Sequence, residues 1–248
     1  MLIWIYSLVS VFVVSLIALI GIFTLSIKTD KLKNILIYSI SFSAGALFGD
    51  VFIHLLPEIV RKKGLTPEVA TFILIGIVFS LFIEKIIHWR HCHMPVTKTH
   101  IHPFAYMNLF GDAVHNFIDG LIIGASYLVS VPVGIATTLA VIFHEIPQEI
   151  GDFGVLVHAG IDREKALLYN FLTATTAILG TLVALLLSSK ISGITTFLSA
   201  FAAGSFIYIA GSDLIPELHK ETQLKKSAVQ IFTFILGIAI MYGLLILG

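Results

Sequence analysis

The chain has 248 residues, of which 57% are hydrophobic and 12% charged, with a mean hydropathy of +1.00. A soluble domain is near half apolar and a quarter charged, so this composition excludes a soluble enzyme and a disordered chain. The balance of 15 Lys+Arg against 15 Asp+Glu withholds the basic face that a nucleic-acid binder needs, and the single Cys92 excludes an intrachain disulfide.

Apolar stretches of roughly 20 residues match the thickness of a bilayer. In chain order they predict eight spans, at about Leu2–Ile27, Ile35–Ile59, Pro67–Trp89, Phe104–Val129, Val133–Val157, Ala166–Leu187, Ile194–Ile215 and Ala228–Leu247. The first has no basic residue before Lys28 and a core longer than that of a signal peptide, so it is expected to stay as a helix. With the N-terminus outside, the inner loops hold Lys28, Lys31, Lys33, Lys85, Arg90, Lys98, Arg163, Lys165, Lys220, Lys225 and Lys226. The outer loops hold Arg61, Lys62, Lys63 and Lys190. Cations concentrate on the cytoplasmic side of membrane proteins, so both termini are expected outside. The Arg61–Lys63 cluster is the exception to that pattern.

The sequence also repeats. Ser41-Phe-Ser-Ala-Gly45 matches Ala200-Phe-Ala-Ala-Gly204, and His54-Leu-Leu-Pro-Glu58 matches Asp213-Leu-Ile-Pro-Glu217, both at an offset of 159. The second and seventh spans run in opposite directions, so spans one to three and six to eight form an inverted repeat, a plan common among secondary transporters. The expected fold is all-α and polytopic, with eight transmembrane helices in a 3+2+3 arrangement within a single transporter domain over 1–248. Residues 1–90 make the first repeat, 104–157 the metal-binding helices four and five, and 166–248 the second repeat. Residues 91–103 form a His-bearing cytoplasmic loop.

Charged groups at mid-bilayer are costly, about 3 kcal/mol each on insertion scales, and usually line a pathway. The fourth span carries Asn108, Asp112, His115, Asn116 and Asp119 on one helical face, and the fifth carries His144, Glu145, Gln148, Glu149 and Asp152 as a second stripe. Imidazole with carboxylate and amide, and no thiolate, suits zinc, iron and manganese. His115/Asp119 and His144/Gln148 meet one turn apart and can grip one ion, while Asn116 and Glu145 point about 100° further round and can hold a second. Asn108, Asp112 and Asp152 taken singly read equally well as interhelical hydrogen-bonding groups. Asp50, His54 and Glu58 on the second span, echoed by Asp213 and Glu217 on the seventh, read equally as mouth residues or anchors. Pro147 removes a donor to the Phe143 carbonyl and is expected to kink the fifth span. Pro57 and Pro216 do the same for Ile53 and Ser212. Glycines 111, 120, 124 and 151 are expected at close helix approaches. His88, His91, Cys92, His93, His100 and His102 form a loop that can capture metal loosely.

With these residues in view, the chain resembles the ZIP (ZRT/IRT-like) family of divalent metal transporters. His115-Asn116-Phe117-Ile118-Asp119-Gly120 is similar to its HNF-x-D/E-G motif. His144-Glu145-Ile146-Pro147-Gln148-Glu149-Ile150-Gly151-Asp152-Phe153 is similar to its HE-x-P-HE-x-GD motif in the LIV-1 branch. The resemblance is to a compact prokaryotic member without the large extracellular domain. It implies a binuclear site, with the first metal at His115, Asp119, His144 and Gln148 and the second at Asn116, Asp119, Glu145 and Gln148, joined by Asn170. Gln148 stands where the family has His or Glu, and Glu149 is the residue placed to compensate. The resemblance also implies that helices one, four, five and six slide against two, three, seven and eight.

The expected function is import of divalent transition-metal ions across the plasma (inner) membrane, with zinc first and iron, manganese and cadmium open. The metal is cargo and no cofactor is expected. The partners are metal ions and the lipid bilayer, with a homodimer as the candidate assembly and no nucleic acid. Two competing readings are an intramembrane zinc hydrolase, because His144-Glu145 opens like H-E-x-x-H, and a metal sensor without flux. The hydrolase motif needs a second His where Gln148 stands.

Overall fold

The computed structural model describes residues 2–21, 29–88, 103–188, 190 and 193–245. The histidines at 91, 93, 100 and 102, with Cys92, Lys28, Arg90 and Lys98, lie outside the described residues. Eight helical rods make up the described part. Rod α1 is Leu2–Ile17 with a 3-10 turn at Ala18–Ile20, and α2 runs Thr29–Gly49 and Leu56–Lys63 with a π-helical stretch, Asp50–Leu55, between. Next come α3 (Pro67–His88), α4 (Pro103–Val129), α5 (Val131–His158) and α6 (Arg163–Ala174 and Thr176–Ser188). Rod α7 is Ile194–Tyr208, a second π-helical stretch at Ile209–Leu214, and Ile215–Leu218; α8 is Leu224–Leu244.

Six rods, α1, α2, α3, α6, α7 and α8, are long and apolar enough to cross a membrane. The other two, α4 and α5, have 27 and 28 residues, more than the roughly 20 needed. Their polar stripes, not their length, set them apart. Large apolar side chains such as Phe12, Leu74, Val78, Phe82, Ile231 and Phe232 are exposed on α1, α3 and α8. A soluble monomer rarely shows so much apolar surface. The chain is an all-helical polytopic membrane protein.

Small residues set the packing. A methyl on Gly45 of α2 would strike the Phe234 carbonyl of α8, and one on Gly237 of α8 the Phe42 carbonyl of α2. The same happens between α3 and α7, where Gly76 meets the Phe201 carbonyl and Gly204 the Ile73 carbonyl. Of the four glycines expected at close approaches, Gly120 and Gly124 do lie against α6, at Ala177 and at Thr181 and Ala184. Gly151 instead has nothing within 4 Å, and Gly111 lines a cavity. Their faces of α4 and α5 turn away from the α6 contact.

The prolines are accommodated in two ways. Helix α5 runs on through Pro147, and the Phe143 carbonyl that Pro147 leaves without its usual donor accepts from Ser43 Oγ of α2 at 2.5 Å. At Pro57 and Pro216 the helix widens to π just before the proline. A wider turn re-pairs backbone groups that a proline disrupts.

Only Ser130 separates α4 from α5. Its backbone is extended, and its hydroxyl caps α5 by accepting from the Val133 N–H at 3.3 Å. So short a link makes the two helices antiparallel neighbours, and their polar stripes face each other. Successive rods run in opposite directions, so one end of the bundle holds Lys63, Pro67, Val129 and Ile194, and the other holds His88, Pro103, Leu218 and Leu224. We call these the Lys63 face and the Pro103 face.

Candidate metal site

His115 and Asp119 from α4 converge with His144 and Glu145 from α5, one ligand atom from each lying within 4.8 Å of all the others. His144 Nε2 stands 2.9 Å from Asp119 Oδ2 and 3.4 Å from Glu145 Oε1. His115 Nε2 stands 3.3 Å from Glu145 Oε1, 3.6 Å from Asp119 Oδ2 and 3.3 Å from His144 Nε2. The His144 ring packs edge-on to Phe206 of α7, and its Nδ1 lies 3.1 Å from the Ala140 carbonyl. In the neutral ring that carbonyl draws the proton to Nδ1, leaving the Nε2 lone pair aimed at the cluster, as metal-binding histidines require.

Asp119, His144 and Glu145 are at most 1% exposed. Apart from the His115 and His144 imidazoles, no donor among the described residues reaches either carboxylate oxygen of Asp119 or Glu145 Oε1. Two buried carboxylates facing two imidazoles, with no cation from the chain beside them among the described residues, form a site whose chemistry matches a divalent ion.

The remaining stripe residues divide. Asn108 Nδ2 donates to Asp152 Oδ1 at 3.0 Å, tying α4 to α5. Asp112 accepts from Asn116 Nδ2 at 2.8 Å and from Thr173 Oγ1 of α6 at 2.5 Å. Asn170 Nδ2 donates to Glu149 Oε2, binding α6 to α5. Asn116 Oδ1, Glu149 Oε1 and Asn170 Oδ1 are buried without a hydrogen bond among the described residues. Spacing alone paired His115 with Asp119 and His144 with Gln148 and set Glu145 apart; the structure places Glu145 beside both imidazoles, and Gln148 lines the same cavity as His115. The antiparallel approach of α4 and α5 turns that face of α5 toward His115.

That cavity, about 440 Å³, opens toward the Pro103 face and reaches His115, Gln148, Asp112 and Asp152. Glu84 of α3 and Tyr208, Asp213 and Glu217 of α7 also line it, and Tyr208 donates its hydroxyl proton to Glu84. Glu84 is a lone acid beside Lys85 near the end of the third predicted span, and Thr173 is one of many threonines, so spacing singles out neither. On the other side of the cluster Leu47, Val51, Ile122 and Val141 pack at no more than 1% exposure. Beyond them a cavity of about 190 Å³ reaches inward from the Lys63 face only as far as His54. Asp50 is fully buried, accepting from Thr137 Oγ1 at 2.9 Å, and His54 Nε2 lies 2.8 Å from the Met241 carbonyl.

The sequence matches the family described as ZIP Zinc transporter over residues 1–103 and 95–245. It is 31% identical to zinc transporter ZIP13 of Danio rerio over 274 residues, covering 87% of this chain and 78% of that protein. It is 41% identical to IAA-alanine resistance protein 1 of Arabidopsis thaliana over 140 residues, covering 55% of this chain and 30% of that protein. With zinc transporter ZIP10 of Homo sapiens it shares 40% identity over 128 residues, 52% of this chain and 15% of that protein. The chain thus covers less than a third of the plant relative and most of the fish one. With the family's sequence pattern running nearly end to end and the His-Asp-His-Glu cluster on two facing helices, this chain belongs to the ZIP zinc transporter family.

Proposed function

We propose that the chain carries divalent transition-metal ions, zinc first, across the plasma (inner) membrane into the cytoplasm. The observation that carries this reading is the buried cluster of His115, Asp119, His144 and Glu145, open through the 440 Å³ cavity on one side and packed shut on the other. A transporter must hold its ion in a closed site and then release it to one side. A zinc transporter is what several relatives are named, which fits the mixed imidazole–carboxylate ligands.

The first ion is assigned to these four side chains, with Gln148 completing the set from the cavity wall. A second ion is assigned to Asn116, Glu145, Glu149 and Asn170. The buried oxygens of Asn116, Glu149 and Asn170 without hydrogen-bond donors support this binuclear reading. The Pro103 face is taken as cytoplasmic from the distribution of cations, which puts both termini outside and makes the cavity the release side. The reciprocal glycine contacts of α2 with α8 and of α7 with α3 support eight transmembrane helices in a 3+2+3 inverted repeat. On this reading residues 1–90 and 166–248 are the repeats and 104–157 the metal-binding pair. A homodimer is the assembly proposed.

Uptake of radioactive zinc into liposomes holding the purified protein tests the proposal. The expected result is saturable uptake that His144→Ala abolishes. Zinc binding without uptake, or uptake unaffected by His144→Ala at equal protein, would refute it.

A further inference from the structure

The Arg61–Lys63 cluster, on the face where cations are scarce, is left without a role by metal transport. It borders two adjoining cavities at the Lys63 face, of about 480 and 210 Å³, which share Lys63 and Thr196. Helix α7 starts between them. Its first residues follow Gly193, whose φ of +81° lies in the left-handed region, and no side chain caps it. Its first intrahelical backbone bond runs from the Phe197 N–H to the Gly193 carbonyl at 3.2 Å. The N–H groups of Ile194, Thr195 and Thr196 therefore point out of the helix end, where the helix dipole is positive.

A second observation points to a ligand. Ser199 lines the smaller cavity at 1% exposure, and its hydroxyl has no hydrogen-bond partner among the described residues. A buried hydroxyl without a partner is costly. The charges complete the site. Glu58 is held by Arg61 at 2.6 and 2.9 Å and by Lys62 at 3.2 Å, while Lys63 makes no ion pair among the described residues. Lys62 and Lys63 line the paired cavities against Glu58 and Glu68, and Arg61, which pairs with Glu58 from beside them, brings this group of side chains to one net positive charge.

We propose that this paired cavity binds the phosphate of an anionic phospholipid headgroup. The N-terminus of α7, Lys63 and the hydroxyls of Thr196 and Ser199 donate to the phosphate oxygens, as helix ends and ammonium groups commonly do. Position favours a lipid over a free ion. The ends of α2, α3, α4 and α7 meet here at the Lys63 face, and Ile59, Val69, Phe72, Leu128 and Val129 give the walls an apolar lining that suits the glycerol and first methylenes. Leu65 beside it is 69% exposed, continuous with the lipid-facing surface. The site also gives a reason for three successive cations on a face where they are otherwise few.

The test uses the full chain in detergent, with native mass spectrometry and thermal unfolding as readouts. Phosphatidylglycerol is expected to stay bound and raise the melting temperature, while phosphatidylcholine does neither. Lys63→Gln is expected to weaken phosphatidylglycerol retention about tenfold, and Lys225→Gln, on the Pro103 face, to leave it unchanged. Ser199→Ala keeps the fold intact if Lys63→Gln does not, and it too should lower retention. Equal retention of both lipids, an unchanged Lys63→Gln or Ser199→Ala protein, or full replacement of the lipid effect by millimolar inorganic phosphate would overturn the proposal.

Discussion

The two π-helical stretches stand at the repeat offset of the sequence, Asp50–Leu55 in α2 and Ile209–Leu214 in α7, each followed by a Leu/Ile-Pro-Glu segment. They differ in what surrounds them. In α2 the stretch is closed: Asp50, Val51, His54 and Leu55 are buried, and Asp50 and His54 are bound by Thr137 and by the Met241 carbonyl. In α7 the stretch is open: Gly211, Ser212 and Asp213 are exposed, and Ile209, Ser212 and Asp213 line the large cavity. The same backbone device is thus buried on one side of the cluster and open to a cavity on the other. π-Helical turns often mark functional segments, and here they bracket the cluster, one toward each face.

The cluster between the two stretches is where the largest effect is expected. His144→Ala removes the imidazole nearest Asp119 and should abolish uptake, a loss of at least about a hundredfold. Asp152→Ala breaks the bond to Asn108, outside the four-residue cluster, and should retain measurable uptake in the same liposomes. Equal loss in both variants would show that the cluster has no special place between the two halves.

Access gives the next contrast. In a Cys92→Ser background, a cysteine at Ser212 should react with a membrane-impermeant thiol reagent added from the Pro103 face. One at Val51, which is 0% exposed, should react at least about tenfold more slowly from either face, because labelling follows the opening of buried structure. Reversed rates would mean that the open side is the Lys63 face.

Stability separates the stretches on a smaller scale. Thr137→Val leaves the buried Asp50 carboxyl without its donor, a cost of about 1–3 kcal/mol, and should lower the melting temperature by several degrees. Ser212→Ala, in the exposed stretch, should stay within about 0.5 kcal/mol of the parent. Thermal unfolding in detergent measures both, and equal shifts would erase the distinction between a buried and an exposed stretch.

The smallest effect concerns Gln148 on the cavity wall. Gln148→His offers an imidazole in place of an amide, and should lower the half-saturation concentration and the maximal rate, by about threefold for zinc and less for manganese. Parallel zinc and manganese uptake curves would remove Gln148 from contact with the ion.

The sequence by itself determined the helical membrane character, the polar stripes of α4 and α5, the offset-159 repeat and the helix-breaking prolines. All of these follow from hydropathy, period and residue type, which act locally along one chain. It also singled out His115, Asp119, His144 and Glu145 as groups too costly to bury without a purpose. Which of them share one centre was decided by tertiary structure, because the one-residue link at Ser130 and the glycine contacts with α6 fix how α4 and α5 face each other. Spacing measured each helix against itself, and so separated Glu145 from His144, its neighbour in the cluster. The partner of the Phe143 carbonyl is Ser43, a hundred residues away, and the buried and open surroundings of two equivalent π stretches depend on how closely the other helices pack around each. Neither depends on the residues of the segment alone, so neither could be read along the chain.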